Sequence, residues 1–196
     1  MKRTVLIITI HLLPLISSGQ KIELGGEFGF HMSQLEYNGN TSERVGNLAA
    51  FFTMDFLFFK NFSLASKLGY ISKGGKNLNE RNPNFKADFD YVSLYVSPRF
   101  YFLSKSKVHP YAHVSPSISY LLGADANGTD IKDDTENLDF GIQGGVGLKI
   151  DLKESLIMDF NAGFEQGFSR VISVQPDQFH NRLFPYIGIG IRHLLE

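Results

Sequence analysis

The sequence predicts an all-β fold, an eight-stranded antiparallel up-and-down transmembrane β-barrel that follows an N-terminal signal peptide. Three observations carry this prediction: apolar and polar side chains alternate in eight segments, the connections alternate between short and long, and glycines collect on the polar face. Successive side chains of a strand point to opposite faces, so a two-residue period indicates strands with one apolar face.

The N-terminal segment MKRTVLIITIHLLPLISSGQ has the layout of a secretory signal. Two basic residues give it a positive start, residues 5–16 form an apolar run, and small residues at positions 17 and 19 precede a cleavage point. The run is short for a helix that spans a bilayer, which needs about 20 apolar residues. We therefore expect residues 1–19 to be a signal peptide and residues 20–196 to be an outer-membrane barrel domain.

The first four predicted strands cover approximately residues 22–32, 46–58, 62–73 and 91–102. Each has bulky apolar side chains at alternate positions, with polar or small residues between them. In the fourth strand, YVSLYVSPRFYF, Val92 and Leu94 share one face while Ser93 and Arg99 share the other. The corresponding apolar positions of the first three strands are Ile22, Leu24, Phe28 and Phe30, then Leu48, Phe52, Met54 and Phe56, then Leu64, Leu68 and Tyr70.

The last four predicted strands cover approximately residues 108–122, 138–150, 155–166 and 182–192. They repeat the same alternation, and the eighth strand sets isoleucines against glycines. No helical period is present after the signal segment. The apolar positions are Ala112, Val114 and Ile118, then Phe140, Ile142, Val146 and Leu148, then Met158, Phe160 and Phe164, then Ile187, Ile189 and Ile191.

The connections place short turns at one end of the sheet and long loops at the other. Strands two and three, four and five, and six and seven are joined by about three or four residues, whereas the other joins are residues 33–45, 74–88, 123–137 and 167–181. Outer-membrane barrels have short periplasmic turns and long surface loops. We therefore expect the chain in the cell outer membrane with both termini in the periplasm.

The polar face is expected to point into the barrel. An eight-stranded barrel has room inside only for side chains, so the crowded face should carry small residues. The glycines of this face are Gly25, Gly29, Gly69, Gly141, Gly145, Gly147, Gly163, Gly188 and Gly190. A soluble lipocalin-like carrier, the alternative closed barrel, would instead place the apolar face around a ligand cavity.

Several segments resemble the PorT-type outer-membrane β-barrel family. FSLASKLGYISKGGK (62–76) resembles its signature of a strand, Tyr, two residues and Lys-Gly, and YVSLYVSPRFYF resembles the next strand. HPYAHVSPSISYLLGAD, LDFGIQGGVGLKI and PYIGIGIRH resemble the later strands. The resemblance implies an integral eight-stranded barrel of the Gram-negative outer membrane and supplies no catalytic residue.

Charged and polar side chains on the inward face form the sharpest candidate cluster. Because eight strands leave no aqueous channel, we interpret them as a structural network of paired charges rather than an ion path. If Leu57 pairs with Ser63, Asp55 and Lys67 become diagonal neighbours. The network is predicted to contain Glu23, Glu27, Asp55, Lys67, Arg99, His113, Asp139, Lys149, Asp159, Glu165 and Arg192.

Three prolines fall within predicted strands. Pro98, Pro116 and Pro185 cannot donate a backbone hydrogen bond to a neighbouring strand, and proline in sheets is found at edges or bulges. We therefore expect a β-bulge at each of them.

The composition gives little support to catalysis, metal binding or nucleic-acid binding. The chain has no cysteine and a net charge of -1, which excludes disulfides and thiolate chemistry and gives no basic field for nucleic acid. His31, Ser33 and Asp139 could lie near the outer mouth, as in a lipid-modifying barrel enzyme, but no nucleophile-elbow or zinc-protease motif is present. Asp125, Asn127 and Asp130 of an acidic loop, 125–136, could hold Ca²⁺, but their spacing does not match an EF-hand, and a solvated surface loop is the favoured interpretation.

We therefore predict a non-enzymatic barrel, with no catalytic, cofactor or metal site, that has a binding, attachment or envelope and secretion-accessory role. Its expected partners are outer-membrane lipid, the barrel-insertion machinery during biogenesis, and a surface or secretion partner held by the four long loops. A lipid-modifying enzyme and a soluble carrier are the alternatives.

Overall fold

The computed structural model describes residues 21–37, 40–77, 85–102, 107–171 and 179–195. The predicted signal peptide at 1–19 lies outside these residues. Within them, no helix is long and apolar enough to cross a membrane.

Eight long strands form one antiparallel sheet. Two further strands of two residues each, Asn40–Thr41 and Thr129–Asp130, lie in the connections. The long strands are β1 (Lys21–Tyr37), β2 (Val45–Phe59), β3 (Phe62–Lys76), β4 (Lys86–Tyr101), β5 (Val108–Ala126), β6 (Leu138–Asp151), β7 (Leu156–Gly167) and β8 (Phe179–Leu195).

The sheet closes on itself because β1 pairs with β8 along its whole length, from Ile22 opposite Leu195 to Tyr37 opposite Phe179. Every other strand pairs with its neighbours in chain order. Closure leaves no strand edge between the first and last strands, which is what a sheet surrounded by lipid requires. The predicted eight-stranded up-and-down barrel is confirmed.

The two faces of the barrel differ in the predicted sense. Val92, Leu94 and Phe100 lie on the outside with 38%, 39% and 58% of their surface exposed, and Phe28 reaches 76%. Polar and charged side chains fill the interior. A soluble carrier would need an apolar interior, so that alternative is wrong for this chain.

The strands extend beyond the predicted ends on the side of the long connections, which we call the loop end. β1 continues through Tyr37, β3 reaches Lys76, β5 reaches Ala126 and β8 begins at Phe179. The predicted loops 33–45, 74–88, 123–137 and 167–181 were therefore too long. The opposite end, with the short joins and both terminal strand ends, is the turn end.

The polarity of the wall inverts toward the loop end, in the outermost residues of several predicted strands and in the extensions beyond them, and this inversion explains the error. Inward positions become apolar while outward positions become polar, as with Gln34, Ser72 and Asp90. A strand that is predicted from its apolar outward residues ends where the outward residues become polar. The inward side chains form the outer apolar cluster, at most 1% exposed: Leu35, Ile71, Phe89, Leu121, Val171 and Leu183.

The proline prediction is correct at one position and wrong at two. The pairings of β8 shift by one residue around Pro185, both against β1 and against β7. The β4–β5 register is the same on both sides of Pro98 and Pro116. Both prolines fall in this one stretch of the ladder, where Ser97 Oγ and Ser115 Oγ are hydrogen-bonded at 2.6 Å. A side-chain bond therefore bridges the stretch without a bulge.

Candidate functional site: the filled lumen and the loop end

An alternating cluster of arginines and aspartates occupies the turn half of the lumen. Arg192 lies 3.0 Å from Asp55 and 3.0 Å from Asp159, and Arg99 lies 3.0 Å from Asp159 and 3.4 Å from Asp55. Tyr111 donates a hydrogen bond to Asp159 at 2.8 Å. The four ionic side chains are at most 2% exposed, so each charge is compensated where water is excluded.

Glu23 and Lys149 form a second ion pair at the same end. They lie in the wall of a cavity of about 250 Å³ that Lys21, Tyr101 and His109 also line.

The middle of the lumen is built around Lys67. Its ammonium group lies 3.0 Å from Glu27 Oε1 and 4.9–5.3 Å from the ring centres of Phe51, Tyr95 and Tyr186. Tyr186 also donates a hydrogen bond to Glu27 at 2.6 Å. The aromatic rings and the carboxylate together replace the water that a buried ammonium loses.

The loop half of the lumen is built around Lys73. Its ammonium group lies 2.7 Å from Glu165 and 3.1 Å from Asp139. Tyr95 donates to the other oxygen of Glu165 at 2.7 Å, and Asn181 donates to Asp139 at 3.1 Å. Above this layer lies the outer apolar cluster, so polar groups and then apolar groups close the lumen.

Inward glycines make room for the tyrosine rings. A Cβ at Gly147 would lie 2.2 Å from Tyr111, and a Cβ at Gly29 would lie 2.6 Å from the Tyr186 hydroxyl. Both tyrosines are hydrogen-bond donors of the network. The glycines on the inner face therefore allow large polar rings to cross a narrow lumen.

The structure places all eleven predicted network residues inside the barrel, with at most 7% of each exposed. Leu57 pairs with Ser63, so Asp55 and Lys67 are diagonal neighbours, yet Lys67 binds Glu27 instead. His113 bonds to Ser115 at 2.9 Å.

Lys73 and three tyrosine donors belong to the network although the predicted set does not contain them. Lys73 has the same inward parity as Lys67 on β3. Tyr95, Tyr111 and Tyr186 also lie at inward positions, whereas the predicted set holds only charged residues and a histidine. Inward parity is the signal in the sequence that identifies all four.

The three residues considered for catalysis do not contact one another in the part of the chain that the structure describes. His31 Nε2 is 2.7 Å from the Ser72 carbonyl oxygen, and Ser33 Oγ accepts hydrogen bonds from Gly74 and Asn47. Asp139 is occupied by Lys73. Each of the three is at most 2% exposed.

Side-chain oxygens of the acidic loop accept hydrogen bonds from backbone N–H groups of the same loop. Asp125 accepts from the Gly128 backbone at 2.8 Å, and Asp130 accepts from the Lys132 backbone at 2.9 Å. Asn127 and Gly128 have φ values of 51° and 81°, as a tight hairpin turn requires. Among the described residues, no group of three or more His, Cys, Asp or Glu is placed to hold a metal ion.

A lipid-facing apolar wall, a filled polar lumen and a closed sheet define an integral outer-membrane β-barrel. The chain belongs to the outer membrane protein beta-barrel domain family, whose sequence model matches residues 17–173. No curated protein matches the chain.

Solved outer-membrane barrels share the fold. OprG from Pseudomonas aeruginosa is 13% identical, with a TM-score of 0.56 and coverage of 91% of this chain and 96% of OprG. A major outer membrane protein from Thermus thermophilus is 13% identical, with a TM-score of 0.53 and coverage of 89% and 99%. Neisserial surface protein A, NspA, is 15% identical, with a TM-score of 0.52 and coverage of 90% and 97%. At these identities the likeness concerns the fold.

Proposed function

We propose that this protein is a non-conducting outer-membrane scaffold that binds a partner through its loop end, in surface attachment or in support of an envelope or secretion complex. The observation that carries this proposal is the filled lumen. Six buried carboxylates and five buried basic side chains occupy it among the described residues, and the outer apolar cluster covers them. A barrel with such an interior has no open pore, so we expect it to act by binding at its surface.

The loop end is the part of the wall that suits a protein partner. There the strands extend past the apolar band as a polar wall around an apolar core, as in a soluble protein. The extended strands carry the connecting segments, and connecting segments on a folded scaffold commonly carry binding. The proposal includes the PorT-type assignment, both termini in the periplasm, and insertion by the barrel-assembly machinery.

Enzymatic lipid modification is not part of this proposal. His31 and Ser33 are buried and bonded to backbone groups or to Asn47, and Asp139 is bonded to a lysine. These contacts support a structural role for the three residues.

Two measurements test the proposal. In planar bilayers, the purified barrel should give no stable conductance steps, and regular steps would overturn the filled-lumen argument. In cells, each loop in turn would be replaced by a short turn, and photo-crosslinking from the loop end would be compared. Loss of one specific adduct with one replacement, while the barrel keeps its heat-modifiable gel migration, supports the proposal. Retention of every adduct in all four replacements contradicts it.

Orientation is tested separately with epitope tags. A tag in the 123–137 connection should be reached by antibody on intact cells, whereas a tag after the last residue should be reached only after permeabilisation. The reverse pattern would contradict the proposed orientation.

A further inference from the structure

The charge on the outer surface is unequal around the edge of the apolar band at the loop end. On β1, the exposed apolar residues Phe28, Phe30 and Met32 are followed by the polar residue Gln34. Toward the loop end, the exposed Leu48 of β2 is followed by Arg44, the residue just before β2 begins. On β8 the exposed Ile187 gives way to Arg182 in the same direction. Two arginines therefore stand just beyond the apolar surface of three adjacent strands.

Arg44 and Arg182 lie on the same outward face, on either side of Gln34. Gln34 pairs directly with Arg182 across β1 and β8, and directly paired residues on one face have close side chains. Arg44 Nε donates to Gln34 Oε1 at 3.2 Å, and Arg182 Nε donates to Gln166 Oε1 at 2.6 Å. Amide oxygens of Gln34 and Gln166 thus help to orient the two guanidinium groups.

Glu36 forms an ion pair with Arg182 of this patch. It lies 2.8 Å from Nη2 of Arg182, whose side chain remains 39% exposed. Glu36 holds one guanidinium in place and offsets part of its charge.

The opposite wall has the opposite character. Beyond Val92, β4 presents Asp90 and Asp88, and Asp90 accepts a hydrogen bond from the Tyr70 hydroxyl at 2.5 Å. Asp88 pairs with Lys86 at 2.5 Å, and the acidic hairpin adjoins this wall. The basic patch is therefore local to β1, β2 and β8.

We propose that Arg44 and Arg182 bind the phosphate group of a membrane lipid headgroup in the leaflet that borders the loop end. Guanidinium groups match phosphate oxygens through paired charge-assisted hydrogen bonds. A bound headgroup would keep its acyl chains against Phe30, Met32 and Leu48, directly below the arginines. This position, at the edge of an apolar band, fits a lipid phosphate better than a water-soluble anion. The site is independent of any protein partner of the loop end.

The test titrates phosphatidic acid, carried in micelles of a non-ionic alkyl maltoside, into the refolded barrel and counts bound lipid by native mass spectrometry. The variant R44Q/R182Q should lose affinity by roughly tenfold or more, since charge-assisted bonds to two guanidinium groups disappear. The matched variant K86Q/K132Q removes two positive charges on the acidic wall and should bind like the wild type. Glu36→Gln removes the competing carboxylate and should bind more tightly.

Equal losses in R44Q/R182Q and K86Q/K132Q would overturn the proposal, since they would indicate net charge rather than a site. Unchanged binding by R44Q/R182Q would also overturn it. Inorganic phosphate that displaces the lipid at comparable concentration would show a site for free anions and would overturn the lipid assignment. Heat-modifiable gel migration confirms that each variant is folded.

Discussion

Lys73 on β3 and Glu165 on β7 reach across the barrel to form an ion pair of 2.7 Å in the loop half of the lumen. The two strands are four positions apart in a ring of eight, so the pair spans the lumen. Asp139 on β6 joins the same ammonium group at 3.1 Å. One lysine therefore ties three separate strands together, directly beneath the outer apolar cluster.

The first prediction concerns this lysine. Lys73→Met keeps much of the side-chain volume but leaves Asp139 and Glu165 buried without a cation. Removing one partner of a buried ion pair costs about 3–5 kcal/mol. We expect the free energy of unfolding, measured by urea titration in lipid vesicles, to fall by that order.

A second substitution in the same background separates charge from packing. Lys73→Met with Glu165→Gln removes one of the two carboxylates that lost their cation and should recover part of the lost stability, as a double-mutant cycle would show. Wild-type stability of Lys73→Met alone would contradict the role given to this residue.

Arg99→Leu should destabilise the barrel without opening it. Arg99 contacts both Asp55 and Asp159, so its loss leaves Arg192 as the remaining arginine between them. We expect a loss of about 3–5 kcal/mol in unfolding free energy and no new conductance in planar bilayers. Arg170→Leu, at an exposed loop position, is the control and should change stability little. A change in conductance at unchanged stability would show that Arg99 belongs to an ion path.

Gly147→Ala tests the tight packing of tyrosine against the inner wall. The added methyl group would lie 2.2 Å from the Tyr111 ring, whose hydroxyl is fixed on Asp159. Overpacking of this kind costs about 1–3 kcal/mol. Gly26→Ala, where the nearest atom is 3.7 Å away, is the matched control. Thermal unfolding followed by gel migration should rank Gly147→Ala below both the wild type and Gly26→Ala.

The inversion of polarity along the wall predicts unequal effects of an added charge. Val114 is 51% exposed in the apolar band, whereas Ser72 faces outward beyond it. Val114→Arg should cost about 2–4 kcal/mol, as cations at the bilayer midplane do. Ser72→Arg should cost much less, since that position meets water. Equal costs in vesicle-based unfolding would place the edge of the membrane elsewhere.

The sequence was sufficient for the membrane-embedded part of the barrel. Within the apolar band, a strand has one face in lipid and one in a crowded polar lumen, so the two-residue period is strong. Glu27 and Phe28 are adjacent in the chain, and this period alone assigns Glu27 to the lumen and Phe28 to the lipid. The number of strands and the inward direction of the charges followed from it.

The pairing of charges inside the lumen could not be derived from the sequence, because it depends on which strands face each other across the barrel. Asp55 and Lys67 are diagonal neighbours on adjacent strands, yet Asp55 binds arginines of β4 and β8 while Lys67 binds Glu27 of β1. Partners across a closed barrel depend on strand tilt and side-chain length, which periodicity does not contain. The outer apolar cluster was not predicted for a related reason. Leu35 and Phe89 occupy inward positions like the charged residues, but their side chains are apolar, so the alternation alone would assign them to the outside.

Tryptophan quenching tests most directly whether hydrocarbon surrounds the apolar band while the outer apolar cluster closes the interior. The chain contains no tryptophan, so single tryptophans report without background. Phe28→Trp and Phe89→Trp would be reconstituted in vesicles and exposed to lipids brominated on the acyl chains and to aqueous iodide. We expect acyl bromine to quench the tryptophan at position 28, and we expect neither agent to quench the one at position 89. Quenching of position 28 by iodide but not by brominated lipid would contradict this assignment of the two faces.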